Sequence, residues 1–164
     1  MINYGFTSIT IFNIYTIFEF AFIAAFYATF YRENIRKIIY VLMFLFGILV
    51  IINYLFIQNG YEFNTYTRPL EAIMIIGFAI TFILKQNSDE QSWGDNKNNW
   101  INSGILIYYS SGLAMFIFTN HLLHASRSIN NFVWYVHDTI LMFEYILFAV
   151  GFYKCKPQTI TSTY

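Results

Sequence analysis

Residues 132–153, FVWYVHDTILMFEYILFAVGFY, decide the fold. The stretch is long and apolar enough to cross a bilayer, which takes about 20 mostly apolar helical residues. It nevertheless carries His137, Asp138 and Glu144. A charge at the bilayer centre costs about 2.5–3.5 kcal/mol on insertion scales, so such residues have a partner or a purpose. At about 100° per residue, His137, Leu141 and Glu144 share one helix face, flanked by Asp138 and Tyr145. That face turns toward other helices or a wet cavity, not toward lipid.

Composition extends this reading to the whole chain. Of its 164 residues, 57% are hydrophobic and 11% charged, against roughly 25% charged in soluble domains. The mean hydropathy is +0.49. Nineteen Phe and 14 Tyr are more large apolar side chains than a soluble domain of this size can hide, whereas a lipid-facing surface uses them. The formal net charge is zero, so no nucleic-acid partner is expected. The lone Cys155 excludes an internal disulfide. Beside Lys154 and Lys156 it reads as an inert thiol, with palmitoylation as the sharper alternative. No basic leading region and no small-residue cleavage site precede or follow the first apolar run, so no cleavable signal is expected.

Five stretches meet the length of a membrane span: 9–31, 38–57, 69–84, 100–123 and 132–153. The expected fold class is therefore all-α, a single polytopic bundle of five spans. The third is short, so it tilts little or thins the bilayer locally. Connections are short except for the polar run KQNSDEQSWGDNKNN at 85–99. Counting Lys and Arg gives seven on one side: Arg32, Arg36, Lys37, Lys85, Lys97, Lys154 and Lys156. The other side has two, Arg68 and Arg127. The positive-inside rule then puts the N-terminus outside and the C-terminus in the cytoplasm of an inner membrane. Small residues form stripes at Ala21, Ala24, Ala25 and Ala28, and at Gly104, Ser111 and Gly112. These fit packing within the bundle, with a homo-oligomer face as the alternative.

The remaining polar residues set the candidate site. Asn53, Glu71, Asn120, His121, His124, His137 and Asp138 fall toward the outer half of the membrane, and Glu19 and Glu144 near its middle. The expectation is a ligand pocket shaped as an outward-open funnel of Glu19, Asn53, Glu71, Asn120, His137, Asp138 and Glu144. Glu71 has a structural reading too, because it follows Arg68-Pro69-Leu70, where proline opens a helix and an acid complements its dipole. His121, His124, His137 and Asp138 form a donor set that zinc or iron would accept. Against it stand the missing HExxH-type signature and the ease with which interfacial histidines reach water. The run SRSINN at 126–131 is expected to break the helix between His124 and His137, so a same-helix haem spacing does not apply. Glu19 and Glu144 need a partner or a proton, with Tyr15, Tyr109 and Tyr145 as candidate hydrogen-bond donors. Trp100, Trp134, Tyr61, Tyr66 and Tyr153 fit an interfacial aromatic belt. No GxSxG and no phosphate-binding glycine loop occurs.

At IYTIFEFAF (14–22), FNTYTRPLEAI (63–73) and NWINSGILIYYSSG (99–112), the chain resembles small multi-helix integral membrane proteins of Bacteroidota-type bacteria. Members often have additional N-terminal helices that are not in this sequence. The resemblance carries over no activity and no functional residue. Some such proteins accompany histidine-kinase signalling, which implies a sensory role and a membrane or cytoplasmic signalling partner. Three readings follow. The leading one is a non-enzymatic sensory or accessory subunit with an outward-facing polar pocket and no cofactor, embedded in lipid. The second is a zinc- or iron-dependent membrane enzyme or cofactor protein using the His/Asp cluster. The third is a small proton-coupled transporter working through Glu19 and Glu144, which lacks the broken helices usual in matched transporter halves.

Overall fold

The computed structural model describes residues 4–58, 64–86, 92–122 and 125–155. Five long helices follow in chain order: α1 (Tyr4–Ala28), α2 (Glu33–Ile52), α3 (Thr67–Lys85), α4 (Lys97–Leu122) and α5 (Arg127–Tyr153). A π-helical turn, Asn53–Ile57, continues α2, and a 3-10 turn, Trp93–Asp95, precedes α4. Among the described residues there is no strand. All five helices are long and apolar enough to cross a membrane. The chain is thus an all-α, multi-pass membrane-type bundle.

The helix starts differ from the apolar runs for a physical reason. An apolar window ends where the bilayer ends, but the backbone goes on pairing with itself in water. So α2 starts at Glu33, α4 at Lys97 and α5 at Arg127, each before the first apolar residue. The exposed Glu33–Lys37 pair (2.8 Å) lies one turn apart in the head of α2 and contributes at most a few tenths of a kcal/mol. In α5, the Ser126 hydroxyl accepts the Ile129 N–H at the N-cap. The expected break at 126–131 is therefore confined to Ser126, and residues 127–131 are helical. At the other extreme α1 ends at Ala28, short of the expected residue 31. Its last turn tightens through Thr29→Phe26, Phe30→Tyr27 and Tyr31→Ala28 bonds, and Lys85 reaches the Phe30 carbonyl.

α1 packs on α2 and α3, α3 on α4, and α4 on α5. The pairs Asn13–Asn64, Glu19–Arg68 and Tyr31–Thr81 keep a nearly constant offset, so α1 and α3 run parallel in register. Ile101 with Gly151, Gly104 with Phe148 and Tyr108 with His137 show α4 and α5 antiparallel. Phe20, Tyr27, Phe46, Phe78 and Phe82 form an aromatic layer between α1, α2 and α3, with Phe20 and Phe46 centroids 4.4 Å apart. Ala24 and Ala28 are fully buried, which lets α1 approach its neighbours. Phe22, Phe44 and Phe56 instead project outward, as lipid-facing side chains do.

The α4–α5 contact depends on two glycines. A Cβ on Gly104 would lie 3.2 Å from the Glu144 carbonyl oxygen. One on Gly151 would lie 2.8 Å from Ile101 Cγ1 and 3.0 Å from the Lys97 carbonyl oxygen. A backbone oxygen cannot swing aside, so Gly151→Ala should lower stability by about 1–3 kcal/mol. Thermal unfolding in detergent checks this, and an unchanged midpoint would mean that the two helices do not meet there.

Candidate functional site

The site begins with how α3 starts. The Asn64 side-chain oxygen accepts the Thr67 N–H (3.2 Å) and the Thr67 hydroxyl, closing the first turn as an N-terminal cap does. Pro69 sits in that turn, where its missing N–H costs nothing. At 19 residues α3 is shorter than α1, α4 and α5. The Arg68 guanidinium lies 4.8 Å from the centre of the Phe116 ring, six residues before the end of α4. At 1.5 Å per residue, α3 thus opens about 9 Å inside the end of its neighbour.

Two acids meet Arg68 there. Its Nη1 donates to Glu19 on α1 and to Glu71 on α3, the latter at 2.8 Å. The Tyr15 hydroxyl donates to the other Glu19 oxygen at 3.0 Å. The side chains of Arg68, Glu19 and Glu71 are 17%, 11% and 0% exposed, so Glu71 is buried and its two partners are largely so. One guanidinium faces two carboxyls, and the second Glu71 oxygen has no partner among the described residues. The buried Tyr109 hydroxyl lies in the field of Glu19, Glu71 and Arg68 without a hydrogen bond of good geometry. Nε and Nη2 of Arg68 make no protein hydrogen bond among the described residues.

A cavity of about 360 Å³ opens where α3 stops short, between α1, α3, α4 and α5. Its walls are mostly apolar, with the rings of Tyr15, Tyr108, Phe116 and Trp134. Arg68 and Asp138 are the charged side chains in that lining. His137 is buried at the cavity, its Nε2 3.2 Å from the Tyr108 hydroxyl and its ring edge-on to Phe116 and Trp134.

A polar network adjoins this cavity and shares Asn64 with its lining. The buried Asn53 amide donates to Gln58 Oε1 and to Asn64 Oδ1, both at 3.0 Å. The Asn64 amide donates in turn to Asn13 at 2.9 Å. The π-helical turn brings Gln58 to Asn53, because the Gln58 N–H reaches back to the Asn53 carbonyl at 2.8 Å.

The structure therefore gathers the expected pocket residues in part. Glu19 and Glu71 meet through Arg68, and His137 and Asp138 line the cavity. Asn53 belongs to the adjoining amide network, linked to the cavity through Asn64. Glu144 is buried deeper, within electrostatic reach of Glu19, and has no hydrogen bond or ion pair among the described residues. The Asn120 side chain and His124 lie outside the described residues. His121 is exposed on the last turn of α4, its ring 6.2 Å from Phe118. Among the described residues no three His, Cys, Asp or Glu side chains gather as metal ligands. Trp134, read from sequence as an interfacial-belt residue, also lines the cavity.

The residue that sequence reasoning missed is Arg68, which was counted as a loop charge. The signal was present: a mid-span acid at Glu19 needs a cation, and Arg68 stands three residues before a second acid. Compared with protein families, curated proteins and solved structures, the chain matches none.

Proposed function

We propose that the protein is a non-enzymatic sensory or accessory subunit that takes a small molecule into the cavity between α1, α3, α4 and α5. The supporting observation is the double use of Arg68. It lines the cavity, and it also ties α1 to α3 through Glu19, while Glu71 holds it from within α3. A ligand that competes for the guanidinium changes how two spans are held together. That differential contact is what a two-state sensor requires. The volume of about 360 Å³ falls within the usual range for small-molecule sites.

In this reading the cavity opens to the outside, with the N-terminus outside and the C-terminus in the cytoplasm. The burial of Arg68 supports that orientation. A guanidinium neutralised inside the bundle does not act as a loop charge, which leaves Arg127 alone against seven basic residues. The signalling partner would meet the basic cytoplasmic loops.

Labelling tests both parts. In a Cys155→Ser background, Ser92→Cys and Ser128→Cys should react with a membrane-impermeant methanethiosulfonate from opposite faces, Ser128→Cys from outside. Thr119→Cys, on the cavity wall, should react from the Ser128 face, and adding Met115→Trp should slow it by tenfold or more. Labelling of Ser92→Cys and Ser128→Cys from one face would sink the topology. An inert Thr119→Cys would sink the cavity as a binding site.

A further inference from the structure

The cavity carries more information than its size. Its two charged lining residues have opposite sign and come from different helices, Arg68 at the head of α3 and Asp138 on α5. Both have unused hydrogen-bonding capacity. Arg68 spends only Nη1 on Glu19 and Glu71, so Nε and Nη2 remain as a planar donor edge. Asp138 is exposed at the cavity, and its carboxyl has no hydrogen bond or ion pair among the described residues. His137 lines the same cavity, its Nε2 3.2 Å from the Tyr108 hydroxyl. The wall is aromatic: Trp134 stands one helical turn before Asp138, and Tyr108 and Phe116 face it from α4.

Resting on the cavity reading above, we propose that the ligand is a small zwitterion with an aromatic or aliphatic body, of the amino-acid type. Its carboxylate meets the free edge of Arg68, where a fork of N–H donors matches two carboxylate oxygens. Its ammonium meets Asp138, with the Trp134 face beside it as a cation–π surface. Its apolar body lies against Tyr108 and Phe116. A purely anionic ligand would set like charge against Asp138, while Arg68 is already shared between Glu19 and Glu71. A purely cationic one would leave the donor edge of Arg68 unsatisfied and face its charge. A molecule carrying both groups avoids each conflict.

Three probes sharing one skeleton separate these cases: L-phenylalanine, 2-phenylethylamine and 3-phenylpropanoate. They are titrated calorimetrically into the full chain in nanodiscs at neutral pH. L-Phenylalanine should bind at least tenfold more tightly than either single-charge analogue. Asp138→Asn should abolish its advantage over 3-phenylpropanoate while leaving binding of 3-phenylpropanoate unchanged or stronger. Trp134→Leu should weaken L-phenylalanine and 2-phenylethylamine together. If either single-charge probe binds as tightly as L-phenylalanine, one of the two charges is idle and the zwitterion is wrong. If none of the three binds, the proposal falls, whereas cavity accessibility at Thr119→Cys separately decides whether the site itself survives.

Discussion

Arg68→Met should destabilise the bundle by about 3–5 kcal/mol, the usual result of removing one partner from a buried charge cluster. The loss would come less from the missing attraction than from what remains. Glu19 and Glu71 would face each other with no counter-charge, and Glu71 has no solvent to turn to. The cluster as a whole need not be stabilising. Replacing all its members by neutral residues of similar volume is commonly neutral or favourable. Arg68→Met combined with Glu19→Gln and Glu71→Gln should therefore recover at least half of the lost stability. Glutamine at position 19 would still accept the Tyr15 hydroxyl. Denaturant titration of the parent and the two variants in one detergent measures both effects. Arg68→Met within about 1 kcal/mol of the parent would mean that no clasp joins α1 to α3.

Asn64→Leu should cost about 3 kcal/mol or more, although it removes no charge. Asn64 accepts from the Thr67 backbone and hydroxyl and from Asn53, and it donates to Asn13. Each buried polar group left without a partner costs about 1–3 kcal/mol, and this substitution strands several. The damage should be local in origin, because α3 loses its N-terminal cap and with it the position of Arg68. The same titration reads the effect. Hydrogen exchange should show loss of protection first at 67–71. Uniform loss across all five helices would argue against a local role.

The two outcomes bear on function differently. Asn64 and Arg68 both line the cavity, but Asn64 also holds the head of α3 through Thr67. An Asn64 variant that still folds should keep Arg68 and Asp138 at the cavity and lose the fixed register between α1 and α3.

Five spans were legible from composition and run length alone. Bilayer thickness sets the number of apolar residues a span needs, and that is a property of each stretch by itself. His137 is buried at the cavity, as a polar side chain on one face of an apolar run should be, whereas Asp138 lines the cavity while staying exposed. The third span was seen to be short, but not what its shortness does. Only the assembled helices show that α3 opens inside the end of α4 and leaves the cavity. The roles of Arg68, Asn64 and Trp134 were also decided by the tertiary structure. Arg68 meets Glu19 across 49 positions of sequence, and Asn64 meets Asn13 across 51. Hydropathy reports whether a residue can enter the membrane, whereas the pairing of one buried polar group with another depends on how separate helices are set against each other.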